Sequence, residues 1–161
     1  MRKETYFTVI MNSVEKIFPE YFCRFVMPEG AHEESILVYR ACRTGKCDRE
    51  SFLSSYEQNG FNISFGGDPT DPSEYSMSVF EKPNHIKRMA NLVSDFKIPY
   101  VIAKGYTNPT YGLVQRTSER KSKQRSHIDW WLYKDATPWI GFEIIPDFDE
   151  YLQSYKGNSE R

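Results

Sequence analysis

Ser126-His-Ile-Asp-Trp-Trp-Leu-Tyr133, followed after a short turn by Trp139-Ile-Gly-Phe-Glu-Ile-Ile145, carries all three tryptophans of the chain and one of its three histidines. Aromatic and β-branched residues at this density suit a pleated, half-buried surface, so both segments are predicted as strands. Alternate side chains of an extended chain share a face. His127, Asp129 and Trp131 then point one way, and Ile128, Trp130 and Leu132 the other. Two readings stay open: one wall of a ligand pocket, or an aromatic strand that begins with a hydrogen-bonded His–Asp pair. Lys134-Asp-Ala-Thr-Pro138 supplies turn chemistry between the two segments, so a hairpin that closes a sheet is expected there.

Working outward, helix and strand periods alternate without a strict β-α-β order. Tyr6, Phe7, Ile10, Val14, Ile17 and Phe18 follow a helical spacing that Pro19 stops. Ile36–Arg40 reads as a strand, and Asp48 as the cap of a helix that runs through Phe52, Leu53 and Tyr56 to Gly60. Gly66–Ser73 is too rich in glycine, proline and aspartate for regular structure and is predicted as a long surface loop. Tyr75–Phe80 is a short strand that places Ser76, Ser78 and Phe80 on one face. Ile86, Met89, Ala90, Val93 and Phe96 mark a second amphipathic helix, and Tyr100–Gly105 another strand. Asn108–Gly112 turns the chain into Leu113–Arg116, and Asp147–Tyr155 forms a short terminal helix. The class is α+β: one domain over residues 1–155, a mixed or antiparallel sheet with two or three flanking amphipathic helices, and a polar, disordered tail over 156–161.

The 161 residues suffice for a sizeable core, since a chain of this length buries roughly 70% of its unfolded surface. A formal charge of −1 gives no global attraction to nucleic acid or an anionic membrane. No apolar run approaches the roughly 20 residues of a membrane span, and the N-terminus lacks a signal-peptide core, so a cytoplasmic protein is expected. Cys23, Cys42 and Cys47 are too few for a disulfide scaffold, and a zinc site needs more ligands at recognisable spacing. They are predicted as free thiols, and no metal is expected.

Arg116-Thr-Ser-Glu-Arg-Lys-Ser-Lys-Gln-Arg125 holds five basic residues and one acid with no apolar period. It reads as a mobile basic loop. Arg116, Arg120, Lys121, Lys123 and Arg125 are candidates for phosphate or nucleic acid; the alternative is a solvated connection. His127 with Asp129 is a candidate base and orienting carboxylate, or a structural pair. His32 and His85 are predicted as surface residues.

A distributed pattern adds to these. Arg40 ends a strong strand, Ser76-Met-Ser78 lies on a later one, and Glu143 sits in the last. This order resembles the Arg–Ser–Glu layout of ADP-ribosyltransferase-like folds over residues 36–145, with two departures: Gly141 stands where the family often has a second acid, and Ser-Met-Ser replaces Ser-Thr-Ser. The resemblance implies an NAD- or nucleotide-binding protein that performs ADP-ribosyl transfer or NAD glycohydrolysis, in a toxin or defence role, with a macromolecular acceptor or regulatory protein as partner. Arg40 would hold phosphate through its fork of donors, and Ser76 or Ser78 would bond ribose or the glutamate. Glu143 would stabilise an oxocarbenium-like transition state. Tyr75 or a tryptophan would stack on nicotinamide, with Asp129, Trp131 and His127 as further pocket wall. Two rivals belong to other classes: a non-catalytic nucleic-acid or phospho-ligand module built on residues 116–125, and a protein-interaction domain anchored by an exposed Trp131 or Trp139.

Overall fold

The computed structural model describes residues 16–86 and 101–159, with side chains as far as 156. Six strands make one sheet: β1 (Leu37–Cys42), β2 (Met77–Phe80), β3 (Val101–Tyr106), β4 (Gly112–Arg116), β5 (His127–Leu132) and β6 (Phe142–Ile144). Their order is β4-β5-β2-β1-β3-β6, and every neighbouring pair is antiparallel. Among the described residues two helices are seen whole, α1 (Ser55–Gln58) and α2 (Phe148–Ser159), with short 3-10 turns between elements. The α+β class with an antiparallel sheet is therefore the architecture. Residues 83–86 open a helix at Pro83, and the rest of that predicted helix lies outside the described residues, as does most of the predicted N-terminal helix.

Paired residues in adjacent strands share a face. Met77 pairs with Trp130, Val79 with Ile128, and Val114 with Trp130. These side chains, with Val38, Cys42, Ala103 and Phe142, form one core layer. Ser78 and Gln115 both pair with Asp129, and Phe80 pairs with His127, so these belong to the opposite face. Part of that face is apolar, where Tyr39, Ala41 and Ile102 meet Phe148 and Tyr151 of α2. Another part is aromatic, where Phe25, Tyr56, Tyr75 and Trp131 pack together. A polar cluster occupies part of this face too.

The predicted hairpin between the two tryptophan segments does not form. β5 lies between β4 and β2, whereas β6 pairs with β3 at the far edge. The connection contains a 3-10 turn over Pro138–Gly141, and the chain crosses the sheet before pairing again. Trp130 and Phe142 still pack on one face, with ring centroids 6.2 Å apart, because periodicity sets the face whatever the neighbour.

The helix expected over 48–60 is broken in two. The Asp48 side chain caps only the turn Arg49–Ser51, and Ser54 opens α1 through a reciprocal capping box with Glu57. Between them the carbonyls of Ser51 and Leu53 accept from the Arg40 guanidinium, at 2.8 and 3.2 Å, instead of from helical amides. Tyr75 closes a 3-10 turn over Pro72–Tyr75, so the strand begins at Met77 and Ser76 sits just before it. The terminal helix extends through Lys156 to Ser159, into residues expected as tail.

Candidate functional site

The polar cluster is centred on Asp129, which is fully buried. β5 places its carboxylate on the face that Ser78 and Gln115 share. Four donors surround it. Ser76 Oγ lies at 2.5 Å, Thr117 Oγ1 at 2.8 Å, an Arg120 terminal nitrogen at 3.1 Å and Ser73 Oγ at 3.2 Å. Burying a carboxylate costs several kcal/mol unless it is paired and hydrogen-bonded, and these contacts meet that demand. Arg120 also donates to Gln115 and Ser73 and lies over the Trp131 ring, 5.5 Å from its centroid. The Trp131 indole N–H donates to the Pro72 carbonyl at 2.9 Å.

His127 completes the cluster. Its Nδ1 lies 2.6 Å from Thr117 Oγ1 and its Nε2 2.8 Å from Ser78 Oγ. Phe80 packs edge-on against the imidazole. Burial pushes the imidazole below its ordinary value of 6.5; the Asp129 charge opposes this, while Lys121, Arg120 and Arg40 reinforce it.

Of the residues singled out in the sequence, Ser76, Ser78, Asp129, Trp131, His127 and Arg120 are thus brought together. Thr117 and Ser73 join them without a sequence signal, because each sits in a 3-10 turn whose direction only the packed sheet sets. Arg40 and Glu143 do not join. Arg40 pairs with Ala103, whereas Lys104 pairs with both Tyr39 and Glu143, so Arg40 and Glu143 stand on opposite faces. Arg40 is buried and donates to the backbone carbonyls of Ser51, Leu53 and Ser78. Glu143 is exposed on the edge strand.

The basic segment is largely tied down. Arg116 bonds Glu81 at 2.9 Å and Glu34 at 3.4 Å, and Lys121 meets Asp71 at 2.6 Å. With Arg120 held by Asp129, Lys123 and Arg125 are its exposed cations, both in left-handed backbone conformations. His85 is half-buried rather than on the surface, with Nδ1 2.8 Å from Ser126 Oγ. Trp131 is fully buried, which corrects its reading as an exposed anchor, and Trp139 is half-buried.

At one end of the sheet a cavity of about 590 Å³ opens between the core layer and the aromatic cluster. Its wall includes Tyr21, Phe52, Tyr75, Trp130, Tyr133 and Trp139, with Arg49 and Glu57 also at its lining. Tyr75 stacks on Phe25, with centroids 4.9 Å apart and planes 11° apart, and its hydroxyl donates to the Pro69 carbonyl. Trp130 is fully buried, and its indole Nε1 is the one buried side-chain nitrogen or oxygen without a hydrogen-bond partner among the described residues. Leaving such a donor unpaired costs about 1–3 kcal/mol. The sequence placed Trp130 only on the face opposite His127 and Asp129, since nothing in a strand pattern tells which indole lacks an acceptor.

Compared with family models, curated proteins and solved structures, the chain matches none of them.

Proposed function

We propose that the protein binds a planar heteroaromatic small molecule of nucleotide type in the cavity beside Trp130. The observation that carries this reading is a cavity whose lining includes eight aromatic residues together with charged groups such as Arg49 and Lys134. A cavity of this volume lies in the range of small-molecule sites, which combine apolar walls with a few polar groups that fix orientation. The aromatic rings of the lining offer stacking surface to a nicotinamide or purine, and Arg49 and Lys134 offer donors to its carbonyl or phosphate oxygens. The three unpaired thiols suit a reducing cytoplasm, which is part of the same reading.

The proposal extends to binding alone. Glycosidic cleavage of NAD, implied by the Arg–Ser–Glu resemblance, gains no support from the cavity lining, which does not include Glu143. Titration with NAD, nicotinamide mononucleotide and adenosine monophosphate, read by tryptophan fluorescence and calorimetry, tests the reading. Saturable binding is expected for at least one of them. Trp139→Ala, which removes a half-buried ring from the lining, is expected to weaken it about tenfold. No binding by any of the three at millimolar concentration, or an unchanged affinity in Trp139→Ala, overturns it.

A further inference from the structure

Proton counting along the polar cluster assigns each hydrogen. Thr117 has one hydroxyl proton and gives it to the Asp129 carboxylate, 2.8 Å away. Its oxygen therefore accepts from His127 Nδ1, at 2.6 Å, and that nitrogen must carry a proton. In a neutral imidazole Nε2 is then the bare nitrogen, and it faces Ser78 Oγ at 2.8 Å. Ser78 donates to it, which leaves the lone pairs of Oγ available for attack. The chain of contacts runs from a sealed carboxylate outward: Asp129 and Thr117 are buried, whereas His127 and Ser78 are partly exposed.

We propose that Ser78 is a nucleophile with His127 as its general base, and that this pair hydrolyses a carboxylic ester. The proposal is independent of the cavity beside Trp130. Three geometric requirements are met: a nucleophile within hydrogen-bond reach of a base, a base held in one tautomer, and a carboxylate behind it. Thr117 stands between base and acid, so Thr117 and Asp129 act as positioning residues. As Ser78 Oγ bonds to the acyl carbon, its proton passes to His127 Nε2. The ester C–O bond breaks, and Nε2 returns the proton to the departing alcohol. Water then attacks the acyl-serine, giving one proton to Nε2, which passes it back to Ser78 Oγ as the acid leaves. The sum is ester plus water to acid plus alcohol, with no change of oxidation state. The charge of the transient imidazolium is directed through Nδ1–H and Thr117 toward Asp129. The other charged groups near the ring are Lys121, Arg120 and Arg40, which favour its return to neutrality.

The test is labelling of the full-length protein with an alkyl fluorophosphonate, read by intact mass and peptide mapping. One adduct is expected, on Ser78, forming faster as pH rises through the titration of His127. His127→Gln is expected to slow labelling by about 100-fold or more with unchanged circular dichroism. Thr117→Val, which keeps the shape and removes the relay, is expected to slow labelling and shift its pH midpoint. Absence of an adduct on Ser78 in the parent protein overturns the proposal whatever the variants do. So does labelling whose rate is indifferent to His127→Gln.

Discussion

His127 shows how one residue's surroundings become a pH dependence. Burial lowers its folded-state value below the 6.5 of an unfolded chain. The unfolded state then binds more protons than the folded state in the window below 6.5. Its contribution to stability is complete above that value and is lost as pH falls toward the folded-state value. His85 is shifted the same way, mainly by burial, whereas its bond to Glu34 raises His32, whose contribution is present below 6.5 and lost as pH rises. Urea unfolding between pH 7.5 and 5 is expected to show His127→Gln with a shallower loss of stability than the parent. An unchanged slope would mean that the imidazole titrates alike in the folded and unfolded chains. Cys42 illustrates the same physics in a thiol: burial pushes it up to about 12, and it is expected to resist alkylation until the protein unfolds, while exposed Cys23 is modified in the native state.

At the scale of elements, Arg40 is the tie between strand and connection. From β1 it reaches the carbonyls of Ser51 and Leu53, which precede α1, and that of Ser78 in β2. Phe52, Leu53 and Ser54 line the cavity, so this tie also holds one of its walls. Arg40→Met retains most of the apolar stem but strands buried carbonyls, and a loss of about 3 kcal/mol in urea unfolding is expected. Ligand affinity should fall with it, even though Arg40 is absent from the cavity lining. The sequence reading made Arg40 a phosphate ligand. β1 runs on to Cys42, so Arg40 lies within the strand and not at its end, and only the packing of 43–54 and of β2 presents the carbonyls to it.

For the whole molecule, sheet order rests on packing across its layer. Phe142 of the edge strand is buried against Phe52, with centroids 5.0 Å apart, and against Trp130 of β5. Phe142→Ala is expected to cost about 3–5 kcal/mol and lower the melting temperature by about 10 °C. Its exposed neighbour offers the control: Glu143→Gln should change stability by no more than about 0.5 kcal/mol. A hairpin of β5 and β6 would bring these segments together through backbone pairing. In the observed order only side chains connect them, so the truncation should be felt at β3 as well, in the hydrogen-exchange protection of Ala103 and Gly105, which pair with β6.

What the chain's own pattern determined was local and facial. Alternation along Ser126–Tyr133 placed His127, Asp129 and Trp131 on one side and the core residues Ile128 and Trp130 on the other, because side-chain direction in a strand has period two whatever its partners. Strand identity at Ile36–Arg40, Tyr100–Gly105 and Leu113–Arg116 followed from the same short-range sterics, and the strands themselves run over Leu37–Cys42, Val101–Tyr106 and Gly112–Arg116. Tertiary structure alone decided which strands became neighbours, since antiparallel pairing is permitted between any two strands whose apolar faces match. It decided too that Arg40 and Glu143 should stand on opposite faces, that Thr117 should reach between His127 and Asp129, and that Trp130 should be left without an acceptor. Those outcomes depend on distances between residues far apart in the chain, and packing, not periodicity, sets such distances.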